Sequence, residues 1–162
     1  MKKLFLVAAF AMVSAFASAQ VAVGVHTLYG TGVENLGIGV RVRYDITDKF
    51  RADANFNYYF KKNNLEFWDL NANLHYLFNI TDKFTVYPMA GLGYANVKSS
   101  WEYQNLGIVY KTNDNYGKFC VNFGGGVDYA LTEDLYLNAE VKYQVVSNYN
   151  QTVFSAGIVY KF

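Results

Sequence analysis

From Val21 to its carboxyl end the chain alternates apolar and polar side chains with few interruptions. The terminal stretch Thr152–Phe162 shows the pattern most plainly. Phe154, Ala156, Ile158, Tyr160 and Phe162 make one apolar face, with Val153, Ser155, Gly157, Val159 and Lys161 between them. A period of two is the side-chain period of a β-strand. Short polar turns punctuate the alternation: DITDKF at Asp45–Phe50, NITDKF at Asn79–Phe84 and a looser ALTEDLY at Ala130–Tyr136. Thr and Asp side chains bond nearby backbone amides, which suits them to tight turns, and repeats at hairpin spacing predict a meander of hairpins.

With those turns as fixed points, eight strands are predicted: Val21–Tyr29, Asn35–Asp45, Phe50–Phe60, Leu65–Asn79, Phe84–Val97, Lys118–Ala130, Leu135–Val146 and Thr152–Phe162. The other connections, Gly30–Glu34, Lys61–Asn64, Lys98–Gly117 and Ser147–Gln151, alternate strictly with the tight ones. All tight turns therefore belong on one side of the sheet.

From the second strand onward one face carries no charge. Leu36, Ile38 and Val40 begin it, Phe56, Trp68, Leu70 and Leu92 continue it, and Phe123, Val141 and Ile158 carry it to the end. The opposite face holds Arg41, Arg43, Asp45, Arg51, Asp53, Asp69, His75, Asp128, Glu140 and Lys142, with Asn and Gly between them. A soluble barrel would put the apolar set inside. Eight strands enclose a lumen just wide enough for side chains, and so many aromatic and branched residues do not fit there. Inverted, the arrangement works: apolar side chains meet lipid and charges pair inside. Lipid exposure requires a closed sheet, because an open edge leaves backbone groups unbonded. The pattern predicts an all-β fold, an eight-stranded antiparallel up-and-down transmembrane β-barrel.

Aromatic residues on the apolar face fall into two bands. Tyr44, Phe50, Tyr76, Phe78, Phe84, Tyr129, Tyr160 and Phe162 lie at the tight-turn end, and Tyr58, Phe60, Trp68, Tyr94 and Phe119 at the other. Such girdles suit the two membrane–water boundaries.

Composition agrees and adds an export signal. Aromatics make up 19% of the 162 residues, with 15 Tyr and 13 Phe, types that favour strands. Lys2 and Lys3, the apolar run Leu4–Phe16 and Ala17-Ser18-Ala19 read as a signal peptide over residues 1–19. That leaves 20–162 as the barrel domain, starting at Gln20. The apolar run is shorter than the ~20 residues of a spanning helix. No Cys follows the cleavage site, which argues against a lipoprotein. Subtracting Lys2 and Lys3 from 14 Lys and Arg leaves 12 against 13 Asp and Glu, a net charge of −1. Nothing here forms the clustered basic surface that nucleic acid requires. Cys120, the single cysteine, has no partner within the chain for a disulfide.

The leader ending Ala17-Ser18-Ala19, the tight turns and the terminal Tyr160-Lys161-Phe162 carry a resemblance. The whole mature chain is similar to the small eight-stranded outer-membrane barrels of Gram-negative bacteria, the porin-like group that includes the OmpA transmembrane domain and the OmpX-type and Opa-type proteins. The last strand of that family ends in Phe with apolar residues at every second position before it, as in Phe154, Ala156, Ile158, Tyr160 and Phe162. The resemblance implies that Phe162 and Tyr160 form the assembly signal read by the barrel-assembly machinery. It also implies the cell outer membrane as location and outer-membrane lipid as surroundings; the chain is expected to be a monomer. Fold does not settle activity.

The inward charges Arg41, Arg43, Arg51, Asp53, Asp69, Asp128, Glu140 and Lys142 are expected to form a paired lumen network, because a buried charge left alone is costly. Inward glycines, among them Gly39, Gly91, Gly93 and Gly126, leave room for those long side chains. An alternative is a narrow pore for ions or small solutes, lined by Arg41, Arg43, Asp53, Glu140 and Lys142. His26 and His75 read as inward but separated, so neither a metal site nor a catalytic pair is expected. No Ser-His-carboxylate or paired-acid constellation appears, and a lipid-modifying enzyme has no residue set to support it. No enzyme activity and no cofactor are expected. The connection Lys98–Gly117 carries Trp101, Tyr103, Tyr110 and Tyr116, and its WEYQ and IVYK pieces still alternate. Two readings stand: a solvated loop whose aromatics pack on one another, or a projecting hairpin turning near Asn105-Leu106-Gly107, whose exposed aromatics are candidates for contact with an extracellular protein partner. The function read from the sequence is membrane structure or surface interaction.

Overall fold

The computed structural model describes residues 20–62, 65–105, 108–146 and 149–162. The expected leader, 1–19, lies outside the described residues. The strands are β1 (Val21–Gly30), β2 (Asn35–Asp45), β3 (Phe50–Lys62), β4 (Leu65–Tyr76), β5 (Phe78–Asn79), β6 (Phe84–Asn105), β7 (Ile108–Ala130), β8 (Leu135–Val146) and β9 (Tyr149–Lys161). All pairings are antiparallel. β1 pairs with both β2 and β9, and β4 pairs with β6, so the sheet closes. β5 continues β4 past a gap at Leu77, giving an eight-stranded closed barrel.

That gap corrects the expected unbroken strand Leu65–Asn79, and Pro88 explains it. The register is the same on both sides: His75 faces Met89 and Phe78 faces Val86. Continued through the gap, it sets Tyr76 opposite Pro88. The Leu77 N–H turns the other way and donates to the Lys49 carbonyl at 2.7 Å. Neighbouring residues of a strand point their backbone groups to opposite edges, so Tyr76 directs its own toward β6. There Pro88, with no N–H, cannot complete the pair.

The repeated turns share one geometry. The Ile46 and Thr47 N–H groups donate to the Phe50 carbonyl, Ile80 and Thr81 to Phe84, and Leu131 and Thr132 to Leu135. In each, the threonine hydroxyl accepts the amide three residues on, at 3.0 Å from Phe50, Phe84 and Leu135. Both ends of the described chain meet at this end of the barrel: Asp45 N–H donates to Gln20 O at 2.9 Å, and Phe162 N–H to Val21 O at 3.0 Å.

At the other end β6 and β7 run on for 22 and 23 residues. Most of the stretch expected as a connection, Lys98–Gly117, is ladder, and Asn105 pairs with Ile108. β4 accompanies β6 only to Ser99, and β8 accompanies β7 only from Cys120. The hairpin therefore projects past its neighbours.

Side-chain exposure alternates as a two-faced sheet requires. Asn138, Glu140, Lys142 and Gln144 of β8 are buried, while Leu137, Val141 and Tyr143 are exposed on the outer face. Outer aromatic rings touch across strands in both bands. At the tight-turn end Phe50 meets Tyr76 at 5.1 Å and Tyr76 meets Phe78 at 4.8 Å. Toward the hairpin end Trp68, Tyr94 and Phe119 link β4, β6 and β7, with centroids 6.0 and 5.6 Å apart.

Candidate functional site

The interior is organised in layers along the barrel axis. Nearest the hairpin end, Leu28, Tyr59, Phe67, Ala95 and Val153 form a buried apolar cluster, with Val33 and Val97 packed against it. Tyr59 and Phe67 meet edge-on at 4.8 Å. Their alternation places these residues inward, but their apolar character hides them among lumen positions that otherwise read as polar.

Below the cluster lies an amide layer. His26 Nε2 bonds Asn57 Oδ1 at 2.7 Å, and Asn57 Nδ2 donates to Asp69 at 2.7 Å. Asn71 donates to Asn55 and to Asp69, Asn122 to Asn71 and Asn73, and Gln144 to Asn71 and the Cys120 sulfur. These amides are legible as Asn at every second position, Asn55 and Asn57 on β3 and Asn71 and Asn73 on β4, in phase with the inward charges.

The third layer holds the ion pairs. Arg41 of β2 reaches across to β8, donating to Asn138 at 2.7 Å and Glu140 at 3.2 Å. Arg43 Nε donates to Asp53 at 3.3 Å and its Nη1 to Asp128 at 3.1 Å. Arg51 donates to the same Asp128 at 2.7 Å. At the centre stands Tyr87, whose hydroxyl donates to Glu140 at 3.1 Å and accepts from Arg43 at 3.1 Å and Asn138 at 2.8 Å. Its ring stacks on His75 and lies beneath the Arg51 guanidinium, 4.7 Å away. Gly126 makes this possible, since a Cβ there would lie 2.5 Å from the Tyr87 hydroxyl. Tyr87 was not singled out from the sequence; its inward phase between Thr85 and Met89 is the signal that marks it.

All eight charged residues of the expected network lie inside, buried. Arg41, Arg43, Arg51, Asp53, Asp128 and Glu140 come together in ion pairs. Asp69 and Lys142 sit in the amide layer, outside every ion pair formed among the described residues. One oxygen of Asp69 accepts from Asn57 and Asn71, which replaces a cation with two amide donors. Lys142 lines an enclosed cavity of about 10 Å³ with His26, Arg41 and Glu140, room for a single water. His26 and His75 occupy different layers, and among the described residues no cluster of His, Cys, Asp or Glu is arranged to hold a metal ion.

At the tight-turn end the interior opens. A cavity of about 440 Å³ leads in past Asp45, Asp48 and Lys161 and stops at Arg43, Arg51 and Asp128.

A closed antiparallel barrel with charges inside and an uncharged outer face is the inverse of a soluble one, and its sequence matches the outer membrane protein β-barrel domain over residues 4–162. The chain belongs to that family. No curated protein sequence matches it. Among solved structures it is similar to the N-terminal β-barrel domain of Pseudomonas aeruginosa OprF, with a TM-score of 0.73 and 16% identity over 90% of this chain and 98% of that one. It is similar also to Neisserial surface protein A, at 0.66 and 19% over 88% and 97%. The outer membrane enzyme PagL shares the barrel as well, at 0.56 and 14% over 87% and 99%. At such identities the likeness is one of fold. A barrel of this kind carries catalysis in one protein and not in another, so the residues must decide.

As an outer-membrane barrel, the chain sets its alternating outer face, from Leu36 and Ile38 round to Phe154 and Ile158, against lipid. Within the membrane span the inner face is then the one place where charges can be satisfied. Trp101, Tyr103, Tyr110 and Tyr116 fall on the projecting parts of β6 and β7, Trp101 opposite Thr112 and Tyr103 opposite Tyr110.

Proposed function

We propose that this protein is a non-enzymatic structural and surface-display barrel of the outer membrane, with a filled interior that supports the β6–β7 hairpin beyond the membrane. The observation that carries this reading is the apolar cluster of Leu28, Tyr59, Phe67, Ala95 and Val153 above the ion-pair layer. A conducting path would have to cross both an apolar constriction and a set of crossed Arg–carboxylate pairs. Planar-bilayer recording of the refolded protein tests it. The expected trace is flat, and steady, reproducible channel steps would overturn the filled-interior reading.

The pore reading draws on the 440 Å³ opening at the tight-turn end, whose charged floor would attract small ions. Arg41, Arg43, Asp53, Glu140 and Lys142 would line the path. The same recording decides between the two.

Surface contact is assigned to the hairpin and to an extracellular protein partner. β7 is bonded to β6 from Ile108, whereas its other edge gains β8 only at Cys120. An exposed ladder edge can accept an extended segment of another protein as an added strand, with side chains such as Trp101, Tyr103, Tyr110 and Tyr116 supplying selectivity. Shortening the hairpin to a turn between Ser99 and Asp114 leaves the membrane part of the ladder intact. Cell-surface capture of an extracellular protein partner should fall with that variant while barrel folding is kept. Equal capture by both proteins would remove the hairpin as the contact.

A further inference from the structure

The residue that opens the barrel carries chemistry the fold does not use. Gln20 directly precedes β1, and its carbonyl accepts the Asp45 N–H at 2.9 Å. It is exposed, and among the described residues no hydrogen bond holds its side chain. The ladder begins one residue later, with Val21 opposite Tyr44. Gln20 also lies on the rim of the tight-turn cavity, most of whose charged residues pair with other side chains. Arg43 and Arg51 pair with Asp128 at 3.1 and 2.7 Å, and Lys161 pairs with Asp45 at 2.7 Å. Asp48 also lies at the mouth.

We propose that Gln20, exposed by removal of the leader after Ala19, closes to pyroglutamate, so that the mature barrel begins with an uncharged lactam. The proposal rests on reading residues 1–19 as a cleaved leader. The α-amine nitrogen attacks the side-chain carboxamide carbon, and a new C–N bond closes a five-membered ring. The old C–NH2 bond breaks, and the amide nitrogen leaves as ammonia with a proton from the amine. No oxidant, reductant or second substrate is needed. Closure requires that both the nitrogen and the carboxamide be free, which the position of Gln20 just outside the ladder provides. A glutamine one residue later could not react, because its nitrogen would be a peptide amide. The product presents no primary amine to an aminopeptidase.

The test is intact-mass and N-terminal peptide analysis of protein purified from the outer membranes of cells making the full precursor. The expected N-terminal peptide starts at residue 20 and is lighter than its unmodified form by one ammonia, about 17 Da. A peptide starting at Gln20 with a free amine overturns cyclisation and upholds the leader. A peptide starting elsewhere overturns the leader reading and the proposal with it. The variant Gln20→Ala supplies a comparison with a free amine on the same barrel. Aminopeptidase should trim that variant and leave the wild type intact; equal trimming of both overturns the proposal.

Discussion

The phenol ring of Tyr87 on β6 lies flat against the imidazole of His75 on β4, with centroids 4.4 Å apart and planes 10° from parallel. This stack joins two adjacent strands at the level where Leu77 interrupts their ladder. It also aims the Tyr87 hydroxyl at Arg43, Glu140 and Asn138. One side chain thus supplies cohesion where Pro88 withdraws a backbone bond.

Tyr87→Phe keeps the ring and removes the hydroxyl. Arg43, Glu140 and Asn138, all buried, then each lose a partner. Urea unfolding in lipid vesicles should show a loss of about 1–3 kcal/mol, the cost of stranding buried polar groups. An unchanged midpoint would mean that water replaces the hydroxyl.

Asp128 joins two guanidiniums, Arg43 and Arg51, from different strands. Asp128→Ala leaves both without that carboxylate, and a loss of about 3–5 kcal/mol is expected from breaking a buried pair. The double variant with Arg51→Leu should recover part of it, because one stranded cation is removed. Additive losses in a double-mutant cycle would show that the two groups are not coupled.

Gly126→Ala places a methyl 2.5 Å from the Tyr87 hydroxyl and 2.8 Å from the Ala139 carbonyl. The ring must shift, and the overpacking should cost about 1–3 kcal/mol by the same unfolding assay. Combining it with Tyr87→Phe should cost less than the sum, since the crowded oxygen is already gone.

Pro88→Ala restores an N–H opposite Tyr76. Amide exchange should show residue 88 protected like its ladder neighbours, with stability rising by up to about 1 kcal/mol. Rapid exchange at residue 88 would place the cause of the Leu77 gap elsewhere.

Phe162 and Tyr160 are proposed as the assembly signal. Phe162→Ala should lower the amount of folded barrel reaching the outer membrane, read as the form that runs faster on gels before boiling. Refolding of the purified variant into detergent should match the wild type. A defect in both would assign the residue to stability, through its ring contact with Tyr160 at 5.1 Å.

The alternation was enough to assign the barrel, its strand order and its two faces, because one register error anywhere would turn a charged face into lipid. Asp45, Asn79 and Ala130 were legible as strand ends because a threonine follows each within two residues. The gap at Leu77 was not legible, since a proline's missing donor matters only against the strand it faces. The apolar cluster escaped for a related reason: Tyr59 and Phe67 lie next to Tyr58 and Trp68, and only their phase separates lumen from lipid.

By itself the sequence determined which side chains face inward, for a period-two pattern and a closed sheet leave no other choice. Only the tertiary structure decided which of them meet. Arg41 finds Glu140 from 99 positions away, and Asp128 serves Arg43 and Arg51 while Asp69 is answered by amides. Pairing across a lumen depends on barrel closure and strand stagger, which bring distant strands to one level, and no local pattern in the chain records that level.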